Sequence, residues 1–286
     1  MPSLIDIRRR IRSVKNTQQI TKAMKMVSAA KLRRAQDRVM ASRPYASLLR
    51  EVLGNVAAAV ATDEQAGRNP LLARREEQRV LLVLITGDKG LAGAFNTNTI
   101  KGAQRFVSER SGMAISLELV GRKGRDFFRK RGVKISGEHV GLAAKPAYGD
   151  TAAIARKAME MFRDEAIDAV YLLYNEFKSV VSQKMTLTRV LPAELPEQAM
   201  PTDYLFEEPP AEMLAALLPR YVETEFYRAL VESAAAEHAA RMTAMDAATS
   251  NAAEMIEKLT LYMNRVRQSS ITKEIIEVVS GAAAAE

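Results

Sequence analysis

The sequence predicts an α/β protein with long helices. An antiparallel two-helix coiled coil is formed by the N- and C-terminal helices, and an α/β domain with a mostly parallel sheet lies between them in the chain. Three observations carry this reading. Residues 220–280 contain neither Gly nor Pro, and Gly281 closes the run. Residues 3–43 lack both as well. Between the two, apolar runs of strand length alternate with helical stretches.

The C-terminal run would form a rod of roughly 90 Å at about 1.5 Å per residue. Its apolar positions step by threes and fours through Ala252, Met255, Leu259, Tyr262, Val266, Ile271, Ile275 and Val278. Such a narrow seam marks a helix that pairs with another helix. Residues 3–43 supply the partner. Ser3 and Asp6 fit a capping box at its start. Leu4, Ile7, Ile11 and Val14 keep a 3-4 spacing, Gln18 and Thr21 make the stripe polar, and Ile20, Met24, Val27, Ala35 and Val39 resume it. Pro44 and Gly54 bracket a region where this helix is expected to kink or end.

Residues 61–78 lose all period and read as a loop. Arg79–Ile85 is a buried-strand run, followed by helix 96–109, strand 114–120, helix 122–130, strand 133–135, helix 151–164 and strand 169–174. Val180–Leu191 has no helix before it and is expected to add an antiparallel edge strand. The middle is therefore Rossmann-like. Residues 191–210 are Pro-rich and acidic and lead back to the rod, with Pro219 as an expected kink. The divisions are 1–60 for the first coiled-coil helix, 61–78 loop, 79–192 α/β domain, 193–210 linker, 211–281 second coiled-coil helix and 282–286 tail.

Composition excludes several classes. With no Cys among 286 residues, disulfides, thiolate metal sites and cysteine nucleophiles are absent. Absence of Cys suits a reducing compartment. The two histidines, His139 and His238, build no metal or acid–base cluster alone. No run of about twenty apolar residues would span a membrane. The Arg-rich start could be mistaken for a transit peptide, but its pattern runs on to Ala41 and it reads as mature helix.

Charge is unevenly placed. Residues 3–43 hold twelve Lys/Arg against Asp6 and Asp37, a net of +10, in a chain whose total is +8. The C-terminal run has seven Lys/Arg and nine Asp/Glu. An anionic partner is expected for the basic helix. It has no aromatic residue to stack bases, so an acidic protein surface suits it better than nucleic acid. Thr86–Asn96, TGDKGLAGAFN, stands where a phosphate loop would, yet it matches neither the dinucleotide nor the Walker spacing and reads as a tight strand-to-helix turn. No catalytic, cofactor-binding or metal site is expected. The rods' methionines read as core filling, with a sliding contact surface as the alternative.

Both ends of the chain then become recognisable. Residues 13–27, SVKNTQQITKAMKMV, resemble the N-terminal helix of the gamma subunit of F-type, proton-translocating ATP synthases, and residues 267–283, RQSSITKEIIEVVSGAA, resemble its C-terminal signature. DKGL at 88–91 and DYLFE at 203–207 agree. The resemblance implies a central rotor stalk, one copy per complex, that couples proton flow through the c-subunit ring to the catalytic beta subunits. The partners implied are the alpha and beta subunits, the epsilon subunit and the c ring, with no nucleic acid. This chain would bind no cofactor, ATP, ADP and Mg being held by alpha and beta. Met24 and Lys25 would lie near an acidic beta lever, and Arg267, Gln268 and Thr272 at a beta or alpha loop. Tyr204, Phe206 and Glu207 would face the c ring.

From the residues alone, Arg267 and Thr272 read equally as rod-surface groups and Tyr204 as a buried strand residue. The regulatory cysteine pair of chloroplast relatives is absent. The lack of a presequence favours a peripheral protein on the cytoplasmic side of a bacterial inner membrane. The competing readings are a coiled-coil tether or nucleic-acid adaptor, and a nucleotide-dependent enzyme.

Overall fold

A computed structural model describes residues 3–60, 69–195 and 206–283 of the chain, with side chains to Ser280. Two helices, α1 (Leu4–Ala59) and α5 (Pro210–Ala283), run through both of its compact units. One unit comprises Met1–Ser28 with Met242–Glu286, the other Ala29–Arg241.

In the first unit α1 starts on the expected capping box. The Asp6 N–H donates to Ser3 Oγ at 3.2 Å, and Ser3 N–H and Oγ donate back to the Asp6 carboxylate at 3.2 and 2.7 Å. These bonds hold the Asp6 carboxyl below its ordinary range. Covered positions run along α1 in a 3-4 alternation through Leu4, Ile7, Ile11, Val14, Gln18, Thr21, Lys25 and Ser28, with Met24 half-buried beside Lys25. On α5 they include Met245, Thr249, Ala252, Ile256, Leu259, Met263 and Val266. Direct contacts fix an antiparallel pairing: Thr249 Oγ1 lies 2.8 Å from Thr21 Oγ1, and Lys25 Nζ lies 2.5 Å from Asp246.

The pairing is as the sequence predicts, but the seam is placed differently. Met255 and Tyr262 are exposed, and their neighbours Ile256 and Met263 take the covered positions. Adjacent apolar residues made the two stripes indistinguishable by spacing alone. On α1, Ile20 and Val27 are exposed while Gln18, Thr21, Lys25 and Ser28 lie on the seam. There polar residues share the covered stripe with half-buried Met24, which the sequence placed on it. Ile271, Ile275 and Val278 are not seam residues either: residues 271–280 are all exposed. Continuing the Thr21–Thr249 register brings the first turn of α1 level with about Val266, so this stretch has no helix opposite it.

In the second unit α1 carries the same spacing through Leu32, Ala35, Val39, Ser42, Ala46, Leu49, Leu53, Val56 and Val60. Arg43 pairs with Glu232 at 3.9 Å and Arg50 with Glu225 at 3.1 Å, again antiparallel. α1 passes through Pro44 and Gly54, and α5 through Pro219; neither helix ends at these positions. Proline inside a helix costs about 3 kcal/mol, and burial of Val39, Leu49, Leu53 and Val56 around the site exceeds that.

The rest of this unit is a five-stranded sheet. After a short 3₁₀ turn (Pro70–Leu72) come β1 (Arg79–Ile85), α2 (Phe95–Glu109), β2 (Ala114–Val120), α3 (Arg122–Phe128), β3 (Lys134–His139), α4 (Tyr148–Arg163), β4 (Ala169–Phe177) and β5 (Gln183–Leu191). The strand order is β3-β2-β1-β4-β5, parallel except for the antiparallel edge strand β5. β1 is covered on both faces. Leu81, Val83 and Ile85 pack on α4 and on buried residues of α1 and α5, while Val80, Leu82 and Leu84 face α2 and α3. Gly121, between β2 and α3, has φ +94°, and a Cβ there would stand 2.0 Å from the Thr86 carbonyl oxygen. Only glycine fits that approach.

The register can be tested in the cysteine-free chain. Thr21→Cys with Thr249→Cys should oxidise to a disulfide, read as a mobility shift on non-reducing electrophoresis. Thr21→Cys with Thr260→Cys, about three turns further along α5, should not. Equal cross-linking of both pairs would mean that the two helices slide.

Candidate functional site

In an open, mostly parallel sheet, ligands bind beyond the carboxyl ends of the strands where the strand order reverses. Here that crevice lies between β1 and β4, and α5 fills it. Ala236 is buried with Ala92 and Phe95, and Phe177 and Ala240 close around them. The Glu232 carboxylate accepts the Phe177 N–H at 3.1 Å. A Cβ at Gly87 would stand 2.7 Å from the carboxyl carbon of Glu237, so the loop approaches α5 as closely as glycine allows. Arg241 pairs with Glu237 and donates twice to the Gly90 carbonyl, at 3.3 and 3.4 Å. Burial pushes the Glu237 carboxyl up from its ordinary value despite Arg241.

The Thr86–Asn96 loop also binds itself. The Gly87 N–H donates to Asn96 Oδ1 at 2.8 Å, and the Asn96 amide donates to the Lys89 carbonyl. Asp88 accepts from the N–H groups of Arg122 and Gly141. The loop is a strand-to-helix turn locked onto α5, as its spacing suggested. Sequence reasoning missed Glu237 and Arg241, which do the locking. Their i,i+4 spacing was legible, but nothing in the sequence tied them to a loop 150 residues earlier.

The residues singled out from the sequence fall into three places. Met24 and Lys25 lie in the first unit on α1, Met24 half-buried and Lys25 bound to Asp246. Arg267, Gln268 and Thr272 lie on α5, all exposed, with Thr272 Oγ1 donating to the Gln268 carbonyl at 3.0 Å. Arg267 has no ion-pair partner among the described residues. The two groups are not brought together: Asp246, opposite Lys25, is about 30 Å along α5 from Arg267. In the second unit Phe206 is half-buried against the core, and exposed Glu207 stands on the rim of a cleft of about 310 Å³ that Asn55 and Met213 also line. Tyr204 lies outside the described residues. No helix is long and apolar enough to cross a membrane, and no cluster of metal-ligating side chains occurs, among the described residues.

An antiparallel helix pair in the first unit, and in the second an α/β domain whose strand-order crevice is filled by a helix, define a class of coiled-coil α/β protein. The comparisons give its family. A family model described as ATP synthase matches residues 3–285. The chain is 82% identical to the ATP synthase gamma chain of Solibacter usitatus (strain Ellin6076) over 286 residues, covering all of both. It is 50% identical to that of Pelotomaculum thermopropionicum, again covering all of both. Among solved structures, a chain of the Tetrahymena thermophila mitochondrial ATP synthase central stalk and c ring is similar, with 26% identity and a TM-score of 0.62, over 80% of this chain and 99% of that one. A chain of the Euglena gracilis mitochondrial enzyme shares the fold at 20% identity and a TM-score of 0.65, over 98% and 94%. The chain belongs to the ATP synthase gamma chain family.

One buried charged cluster lies apart from these surfaces. Glu118 on β2 is 1% exposed. Lys157 of α4 donates to its two oxygens at 2.8 and 3.1 Å, and His139 Nε2 stands 2.7 Å away. A Cβ at Gly137 would lie 2.2 Å from Glu118 Oε1, so β3 carries glycine there. Burial pushes the carboxyl up, but the bonds from His139 and Lys157 outweigh it and hold the group below its ordinary 4.5. A depressed carboxyl contributes stability above its unfolded value, lost as pH falls through the folded one. Glu118→Gln should therefore cost about 1–3 kcal/mol at pH 7 and flatten the acid limb below pH ~4.5 in urea unfolding. An acid limb as steep as that of the unsubstituted chain would remove Glu118 as its source.

Proposed function

We propose that this chain is the rotating central stalk of an ATP synthase, coupling proton flow through the c ring to the catalytic beta subunits. The observation that carries this is the end of α5. Beyond its pairing with α1, residues 271–280 expose Ile271, Ile275, Ile276, Val278 and Val279, an apolar helix end that calls for an apolar collar. Behind it lies a paired shaft whose Arg267 and Gln268 are exposed to whatever surrounds them. The partners would be the alpha and beta subunits around the shaft, and the epsilon subunit and c ring at the α/β domain. Phe206 and Glu207 would meet the c ring, with Tyr204 beside them in sequence. The basic N-terminal helix suits an acidic surface of a beta subunit near Met24 and Lys25. ATP, ADP and Mg would be held by alpha and beta. The α5-filled crevice supports a non-catalytic role for this chain. The complex would place it peripherally on the cytoplasmic side of the bacterial inner membrane.

Shaft orientation would bias the conformational equilibrium of each beta subunit through contacts that differ between states. Rotation tests this directly. Lys130→Cys, in an exposed turn after α3, gives a unique thiol for a bead on the immobilised complex. ATP should drive stepwise rotation of the bead in one direction, and ATP hydrolysis with a stationary bead would overturn the proposal.

Arg267 supplies a second test. Thr272 follows Gln268 by four residues and shares its face, and Arg267 can grip a carboxylate with two prongs. Losing such a bond costs roughly 1.5–3 kcal/mol, about tenfold or more in the population of a latched state. In the assembled complex, Arg267→Ala should change ATP hydrolysis or ATP-driven proton pumping while assembly stays intact. Arg131→Ala, in the exposed turn after α3, should change neither. Near-wild-type behaviour of both variants would make Arg267 a solvated surface charge.

A further inference from the structure

Within the second unit, α1, α5 and the loop after β3 line a small half-open cavity of about 150 Å³. Its rim is cationic. Lys31, Arg34 and Arg38 come from one face of α1, at i, i+3 and i+7, and Lys145 from the loop. No carboxylate lines it, and none of these four side chains has an ion-pair or hydrogen-bond partner among the described residues. Like charges three and four residues apart on a helix repel. Elsewhere in this unit α5 answers the cations of α1 with acids: Glu232 faces Arg43 and Glu225 faces Arg50. Opposite Lys31, Arg34 and Arg38 it offers Val231, Ala234 and His238 instead. Glu237 of α5 feels the charge of Lys31 but is already paired with Arg241, so no described carboxylate forms an ion pair with this rim.

The remaining lining narrows the ligand. Ala35 and Ala234 make a small apolar floor, leaving room for a compact group among the cations. His238 Nδ1 stands 3.4 Å from an Arg241 guanidinium nitrogen. With Nδ1 accepting there, the ring proton falls on Nε2, a neutral donor. Burial first, then the charges of Arg241 and Lys31, push the His238 imidazole down to about 4, so it is neutral at pH 7. Two guanidinium forks, two ammonium groups and a neutral N–H match a tetrahedral oxyanion bearing more than one charge. A volume of about 150 Å³ suits one or two joined tetrahedra.

We propose that this cavity is a binding site for a phosphate-class anion, either inorganic phosphate or pyrophosphate, or the phosphate tail of a nucleotide. The site lies apart from the Thr86–Asn96 turn, and its assignment is independent of the stalk proposal.

His238 reports on occupancy. The chain has only two histidines, and a His139→Gln variant assigns the ring resonances. Phosphate, pyrophosphate, ATP and AMP are titrated into the full chain at constant ionic strength, with chloride as the reference salt. Pyrophosphate should shift the His238 resonances saturably and raise its pKa, since a nearby anion favours the imidazolium. The double variant Arg34→Gln/Arg38→Gln should weaken binding roughly tenfold or more. Lys101→Gln/Arg105→Gln removes the same charge from exposed positions of α2 and should leave binding unchanged. If the α1 variant fails to fold, Lys145→Gln tests the rim from the loop and should also weaken binding. ATP binding as tightly as pyrophosphate, with AMP silent, identifies a nucleotide tail as ligand. Binding of phosphate and pyrophosphate without ATP identifies the inorganic anion. No saturable shift with any phosphate compound, an equal loss in the α2 control, or a response to an acidic peptide alone would each overturn the site.

Discussion

The structure depends on one constraint, the unbroken alternation of threes and fours along α1. A 3.5-residue repeat keeps one stripe facing a partner over many turns, and any slip of register exposes it. In the second unit that stripe is apolar at Leu32, Val39, Leu49, Leu53 and Val56, all buried, and the ion pairs Arg43–Glu232 and Arg50–Glu225 add to the pairing. In the first unit the same frame carries Gln18, Thr21, Lys25 and Ser28. Here polar pairs help to set the register. The hydroxyl of Thr21 meets that of Thr249, and Lys25 meets Asp246. A slip of one heptad would bring Thr21 towards Ile256 or Met242 and forfeit both contacts.

α5 serves two partners at once, which explains why its burial changes along its length. In the second unit nearly every residue from Leu230 to Ala239 is buried, because the helix lies against α1 on one side and the end of the sheet on another. Only small side chains permit this, and Ala234, Ala235, Ala236 and Ala239 supply them. The same crowding explains Gly87, whose missing side chain leaves room for Glu237. A sheet architecture built to hold a ligand at its strand-order reversal holds a helix there instead.

Much of this was legible in the sequence. The eight elements of the α/β domain could be read in order because their periods differ sharply, and the lack of a helix before β5 gave its antiparallel direction. The capping box at Ser3 and Asp6 was local chemistry and appears as written. What could not be read was packing across long separations. The seam's true stripe was hidden because Met255–Ile256 and Tyr262–Met263 are adjacent apolar pairs, and only the partner helix selects one of each. Pro44 and Pro219 carry a local signal for a break, but the packing on either side of them outweighs it. Arg267, Gln268 and Thr272 could be placed on one exposed stretch of α5, whereas Asp246 and Thr249 became visible only opposite Lys25 and Thr21.

The two units thus use one helix pair in different ways. In the second, apolar burial and ion pairs such as Arg50–Glu225 tie α5 to α1, and within α5 the same Glu225 carboxylate holds the Arg228 guanidinium charged beyond its ordinary value against the cost of burial. Breaking such contacts leaves a charge stranded, so the arrangement resists rearrangement. In the first, the seam is half-covered and partly polar, and residues 271–280 of α5 are exposed, with no helix opposite them among the described residues. Sequence variation that enlarged apolar contact there would strengthen the pair but give exposed Ile275 and Ile276 a competing place to bury. A polar, register-fixed seam next to an unpaired apolar end keeps the helix pair aligned while leaving that end available to another surface.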